Sequence, residues 1–189
     1  MPEGTPRPAG AGRDVLVVLG SLLVLGVLAG VLWWLLVDPA QFTKTAQGGA
    51  MSENELAKRF GADAWFVVVG LGGGLVAGLV LGAWRSRDPL LVSGLLLVGS
   101  LLAAGTMLLV GHLLGPGDPR AALRAAQVGA KVPETLGVDT PLAVLGWPIG
   151  VLAGALLVLL GRAPEEVRSD EDGRDGASET APPSARADR

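Results

Sequence analysis

Four stretches of this chain, Val15–Val37, Ala64–Trp84, Leu90–Leu114 and Leu142–Gly161, contain no Lys, Arg, Asp or Glu. Each is about 20 residues long or slightly more, and a helix of that length rises about 30 Å, the thickness of a bilayer's hydrocarbon core. Soluble domains do not readily use four such uninterrupted runs, so the pattern predicts four transmembrane helices. Arg13 ahead of the first run resembles a signal-peptide flank, but the run is 23 residues long and no A-x-A site follows it. A signal h-region is shorter, so this run reads as an uncleaved span. The expected fold is an all-α membrane protein. Residues 1–13 form a disordered N-tail, 14–161 a four-helix transmembrane domain with spans at about 15–37, 64–84, 90–114 and 142–161, and 162–189 a disordered acidic C-tail.

Composition mainly excludes. The formal net charge is −3 and the basic residues are scattered, so no nucleic-acid partner is expected. Cysteine is absent, which removes disulfides and thiolate metal sites. There is no HExxH, no GxSxG, no Ser–Lys pair within a span and no Cys–His cluster. Accordingly no catalytic, metal or cofactor site is expected, and the chain is read as a non-enzyme. The triple glycine Gly72-Gly73-Gly74 is no phosphate loop, because no Lys-Ser/Thr follows it and it lies at membrane depth.

Between the spans the chain is polar. Trp33-Trp34 sits where an interfacial aromatic belt is expected, and Asp38-Pro39 ends the first span. Loop 38–63 has a turn or hairpin at Gly48-Gly49, then a capping box, Ser52-Glu53-Asn54-Glu55, opening a helical turn through Glu53–Phe60. For Gln41–Gln47, strand and helix are equally consistent with the residues. The second span has a tryptophan at each rim, Trp65 and Trp84. Arg85–Pro89 is a tight connection, which makes the second and third spans antiparallel neighbours. In loop 115–141, Asp118-Pro119 is an N-cap and N1 pair for a helix through about Gln127. Pro148 loosens or kinks the start of the fourth span.

Basic residues near the span ends set orientation. Arg13, Arg85 and Arg162 each lie beside a span on the side that carries both tails. The protein is therefore expected in the plasma membrane, multi-pass, with both termini cytoplasmic and both structured loops extracytoplasmic.

Glycine then suggests how the helices pack. Gly70, Gly74, Gly78 and Gly82 recur every four residues and form one stripe along a helix, a spacing that lets a second helix approach closely in a bilayer. Gly146, Gly150 and Gly154 place a matching stripe on the fourth span. The match belongs to an ordered set. Gly20-Ser21-Leu22-Leu23 and Gly26 recur as Gly99-Ser100-Leu101-Leu102 and Gly105, and Asp38-Pro39 as Asp118-Pro119. Gly61, Asp63, Gly70 and Gly74 recur as Gly137, Asp139, Gly146 and Gly150. The set predicts two tandem two-helix repeats, parallel and related by an axis along the membrane normal, with the second span against the fourth. Chance likeness among glycine-rich helices and Asp-Pro caps is the alternative.

Three residues are functional candidates. His112 is the lone histidine and lies near the end of the third span. It is either an interfacial, hydrogen-bonded side chain or a proton relay or ligand contact. Asp63 and Asp139 hold matched positions at the starts of the second and fourth spans. They read as helix N-terminal caps, as does Asp14, with a paired-carboxylate site as the sharper alternative.

Phe60-Gly61-Ala62-Asp63-Ala64-Trp65-Phe66, the glycine stripe and Gly146-Trp147-Pro148 together resemble a family of uncharacterised actinobacterial four-span integral membrane proteins. The resemblance covers roughly Val15–Gly161 and implies no activity and no site residue. Some members look to be labelled ABC-transporter permeases. Arg85–Pro89 is too short for the cytoplasmic coupling segment such a permease needs. Two functions follow: a non-enzymatic scaffold or accessory subunit of the cell envelope, or a conduit for a small solute or ion. Apart from the lipid bilayer, the expected partner is another membrane or envelope protein, met through loops 38–63 and 115–141. A conduit would need a wet path lined by Ser21, Ser100, Thr106 and His112.

Overall fold

The computed structural model describes residues 11–83 and 89–161. Most of both tails, Trp84, the Arg85–Asp88 connection and the Asp14 side chain lie outside the described residues. Four helices are long and apolar enough to cross a membrane. They are α1 (Ala11–Leu36), α2 (Glu53–Ala83), α3 (Pro89–Leu114) and a last helix, α5 (Pro141–Gly161), whose first five residues, Pro141–Leu145, are wound as a 3-10 turn. Pro148 has no N–H to give the Val144 carbonyl, so the start of this helix cannot close a regular α-helical ladder. The ends of the bundle are called the tail end, where α1 and α3 begin, and the loop end, where they finish.

The loop end differs from an all-α expectation. Strands β1 (Gln41–Thr45), β2 (Gly48–Ala50) and β3 (Lys131–Pro133) form one sheet in the order β2-β1-β3, all antiparallel. Thr43 pairs with Ala50 on one side and with Lys131 on the other. The two loops therefore make a single cap. A short helix, α4 (Pro119–Ala125), lies between α3 and β3, with the Asp118 carboxylate accepting the Arg120 N–H at 2.9 Å. Leu123 of α4 sits over Gly49 of the hairpin. Gly129, at φ +91°, supplies the left-handed turn that carries the chain back onto β1.

α2 begins well before the apolar run. At 31 residues it is about 46 Å long, some ten residues more than a bilayer core requires. Ser52 caps it, its Oγ accepting the Glu55 N–H at 3.4 Å. Glu55 does not turn back to complete the capping box. Its carboxylate accepts the Gln41 N–H at 2.8 Å and so ties β1 to α2.

The spans pack like with like. α2 and α5 run parallel, and a Cβ on Gly74 would stand 2.5 Å from the Trp147 carbonyl oxygen and 3.2 Å from the Gly150 Cα. Gly78 faces the Val151 carbonyl, Gly150 the Leu71 carbonyl and Gly154 the Leu75 carbonyl at equally close range. Gly146 lies over the Val67 carbonyl and Gly82 over Ala155. Gly70 and Gly73 cup the indole of Trp147, which is fully buried and donates its Nε1–H to Met107 Sδ at 3.3 Å. The triple glycine thus clears a ring at Gly73 and a backbone at Gly74.

α1 and α3 form a second parallel seam. A Cβ on Gly26 would stand 2.7 Å from the Ala103 carbonyl oxygen, and one on Gly30 2.8 Å from that of Met107. Gly99 receives Leu22, and Gly111 receives the ring of Trp33. The α1–α3 backbones come closest at Gly26 and Gly30, and the α2–α5 backbones at Gly74 and Gly78, nearer the tail end. Trp33 also differs from expectation. It is fully buried, stacked edge-on against Phe66 at 5.1 Å, and belongs to the core, whereas Trp34 and Trp65 remain partly exposed.

Candidate functional site

Titratable side chains of α2 and of the chain after β3 meet at the loop end. Trp33 donates its Nε1–H to the Ala62 carbonyl at 2.9 Å, which places Ala62 and Asp63 at the depth of Trp33, about a turn below the end of α1. Leu136 is buried against Gly111 and Gly115. The chain after β3 has therefore descended below the end of α3 at Leu114. It is a non-helical lead into α5. Backbone at that depth is tolerated only where its polar groups find partners within the protein.

Asp63 supplies two of those partners. Its side chain is nearly buried, with the residue 9% exposed. One carboxylate oxygen accepts the Asp139 N–H at 3.0 Å, and the other accepts the Thr140 N–H at 2.9 Å. Asp63 thus caps the start of α5 across the bundle and not the start of its own helix, which begins ten residues earlier at Glu53. Asp139 caps nothing: Thr140 is the N-cap residue and makes no side-chain capping bond. The Asp139 carboxylate is exposed and meets Arg59 Nη2 at 3.0 Å. The matched aspartates are therefore neighbours with different roles, joined through a backbone N–H and not as a carboxylate pair.

His112 serves the same segment. Its Nδ1 lies 3.3 Å from the Leu136 carbonyl, a geometry that makes Nδ1 the protonated nitrogen. Around these groups stand ions the sequence reading did not single out. Arg59 Nε meets Glu134 at 3.2 Å, and Lys58 meets Asp38 at 2.8 Å and Glu55 at 3.3 Å. The signal was present in Lys58-Arg59, the two cations nearest the start of the second apolar run. A cleft of about 40 Å³ remains between Pro39, Lys58, Arg59, Ala62, Glu134 and Asp139, room for a few waters.

Chemically the cluster is a clasp. Each cation is paired with two carboxylates, and pairs as exposed as these hold position more than they add stability. Among the described residues no side-chain N or O is buried without a partner, and no group of three His, Asp or Glu side chains is placed to hold a metal ion. No protein-family model, curated protein or solved structure matches the chain. What the site can do must be read from its own geometry.

Of the remaining candidates, the glycines Gly70, Gly74, Gly78, Gly82, Gly146, Gly150 and Gly154 all lie in the α2–α5 seam. Three hydroxyls within the spans bond locally. Ser21 donates to the Val17 carbonyl at 2.7 Å, Ser100 to Leu97 at 2.7 Å and Thr106 to Leu102 at 2.8 Å, each returning its hydroxyl to its own helix.

Glu134 gives the clasp a pH dependence. Burial pushes its carboxyl above the ordinary value, Arg59 pulls the other way, and Asp139 adds to the rise. A carboxyl whose folded value is raised favours the fold when protonated. Its contribution is present below the unfolded value and lost as pH rises through the folded one. The stability of the wild type relative to Glu134→Gln, measured by thermal unfolding in detergent, is therefore expected to shrink as pH rises through and above the ordinary carboxylate range. A difference that grew with pH would mean that pairing with Arg59 outweighs burial.

Proposed function

We propose that this protein is a non-enzymatic scaffold or accessory subunit of the cell envelope, with the loop-end cap as its partner surface. The observation that carries this reading is how the cap divides its charge. Asp38, Glu55, Asp63, Glu134 and Asp139 all point into the clasp or onto backbone N–H groups. Lys44, Arg120, Arg124 and Lys131 stand outside it, on β1, α4 and β3, and α4 buries none of its residues. The cap as a whole holds six cations and seven carboxylates, but outside the clasp these four cations face only Glu53 and Asp118, and such a basic outer face suits an acidic segment of a neighbouring envelope protein. The conduit reading finds less support, since Ser21, Ser100 and Thr106 each bond to their own helix.

In the same proposal both termini are cytoplasmic, following Arg13, Arg85 and Arg162. In it, too, the two hairpins descend from one ancestor, and the chain is one of the actinobacterial four-span proteins that it resembles. The α2–α5 seam supports duplication because matched glycines face each other, Gly74 with Gly150 and Gly78 with Gly154. The caps do not share the symmetry: Asp38-Pro39 leads into a strand and Asp118-Pro119 into a helix.

Site-specific photo-crosslinkers at exposed Thr43, Ala121 and Val128 test the partner reading in intact cells. One recurrent membrane or envelope protein is expected at these positions, lost in Arg120→Glu/Arg124→Glu, and not recovered from a crosslinker at lipid-facing Leu101. Solute or ion flux through proteoliposomes, with no cap crosslink, would favour the conduit instead.

A further inference from the structure

At the tail end, away from the cap, α1 and α2 leave a groove of about 410 Å³ between them. Gly20, Ser21, Val24 and Leu25 line one side, and Val76, Ala77, Val80 and Leu81 the other. The floor is Ala77 and Leu81, both buried, and the rims are exposed valines. The only polar side chain, Ser21, has turned its hydroxyl to the Val17 and Val18 carbonyls at 2.7 and 3.0 Å. The groove is therefore dry and opens to the bilayer. Gly20 lines it, and a Cβ there would meet nothing within 4 Å.

A charge stands above it. Arg13 lies seven residues before Gly20, about 10 Å along the helix and within about 20° of the same face. It is exposed, and among the described residues no carboxylate pairs with it. An apolar groove at acyl-chain depth, with an exposed guanidinium at headgroup depth on the same face, matches a lipid with an anionic headgroup. We propose that the α1–α2 groove holds an acyl chain of one anionic phospholipid, whose phosphate is met by Arg13. A planar guanidinium suits phosphate recognition. This assignment does not rest on the partner reading of the cap.

The test is retention of added lipid by the purified full chain in detergent, counted by native mass spectrometry. Dioleoyl phosphatidylglycerol is compared with dioleoyl phosphatidylcholine. The wild type is expected to keep one phosphatidylglycerol and to lose phosphatidylcholine. Gly20→Leu fills the groove without striking the protein, so it is expected to retain lipid-free thermal stability and to lose the bound lipid. Arg13→Gln is expected to lower the preference for phosphatidylglycerol about fivefold, as for one basic group at a membrane surface. Equal retention of the two lipids by the wild type, unchanged retention in Gly20→Leu, or an unchanged preference in Arg13→Gln would each overturn the assignment.

Discussion

Gly78→Leu is expected to separate α2 from α5 and to destabilise the bundle by more than about 3 kcal/mol. A single added Cβ at this position overlaps the Val151 carbonyl, and the atoms it meets are backbone, so no rotamer relieves the clash. Relief requires the two helices to move apart along a seam that Gly74, Gly150 and Gly154 keep equally close. Within a bilayer, close helix approach gains van der Waals packing and little else, so widening the seam removes what holds the pair. Gly74→Leu and Gly150→Leu follow the same reasoning. Gly72→Leu is the control on the same helix: its Cβ would meet nothing within 4 Å, and the change is expected to stay within about 0.5 kcal/mol. Thermal unfolding in detergent checks the contrast. Wild-type stability of both Gly78→Leu and Gly150→Leu would remove the seam from the account.

The four spans were legible because apolar length is a local property, and α1, α2, α3 and α5 each cover one of the four uncharged runs. A four-residue glycine period is local too: it states which face of a helix is smooth, and α2 meets α5 on that face. The same spacing in Gly26 and Gly30 of α1 marks the α1–α3 seam. What a smooth face cannot state is whether the helix beside it is matched by symmetry or merely adjacent.

The cap was harder to read for a different reason. β1 and β3 are five and three residues long and lie almost 90 positions apart, so neither carries enough periodicity to announce a sheet. Trp33 and Trp34 are adjacent and chemically identical, yet one is core and the other faces outward. The difference lies in Gly111, on another helix, which leaves room for one indole. The roles of Asp63 and Asp139 were equally hidden, because what decides them is a descent of the chain after β3 that no local pattern encodes.

Asp63→Ala should expose that difference. The substitution removes the acceptor of the Asp139 and Thr140 N–H groups, whose bonds to Asp63 are part-buried, and an unmet donor out of water costs about 1–3 kcal/mol. A loss of about 3 kcal/mol is expected. It should be local: faster amide exchange at Asp139 and Thr140 and protease cleavage between Lys131 and Thr140, while the α2–α5 seam stays closed. Asp63→Asn keeps one carbonyl acceptor and turns an amide N–H₂ toward the other donor, so it should fall between the wild type and alanine. Asp139→Ala removes only a contact from an exposed carboxylate to Arg59, and should cost less than about 1 kcal/mol. Equal losses for the two alanine variants would mean that the aspartates act as a matched pair after all. A large loss confined to Asp63 would make its carboxylate the acceptor that allows the chain to dip below the bundle's rim.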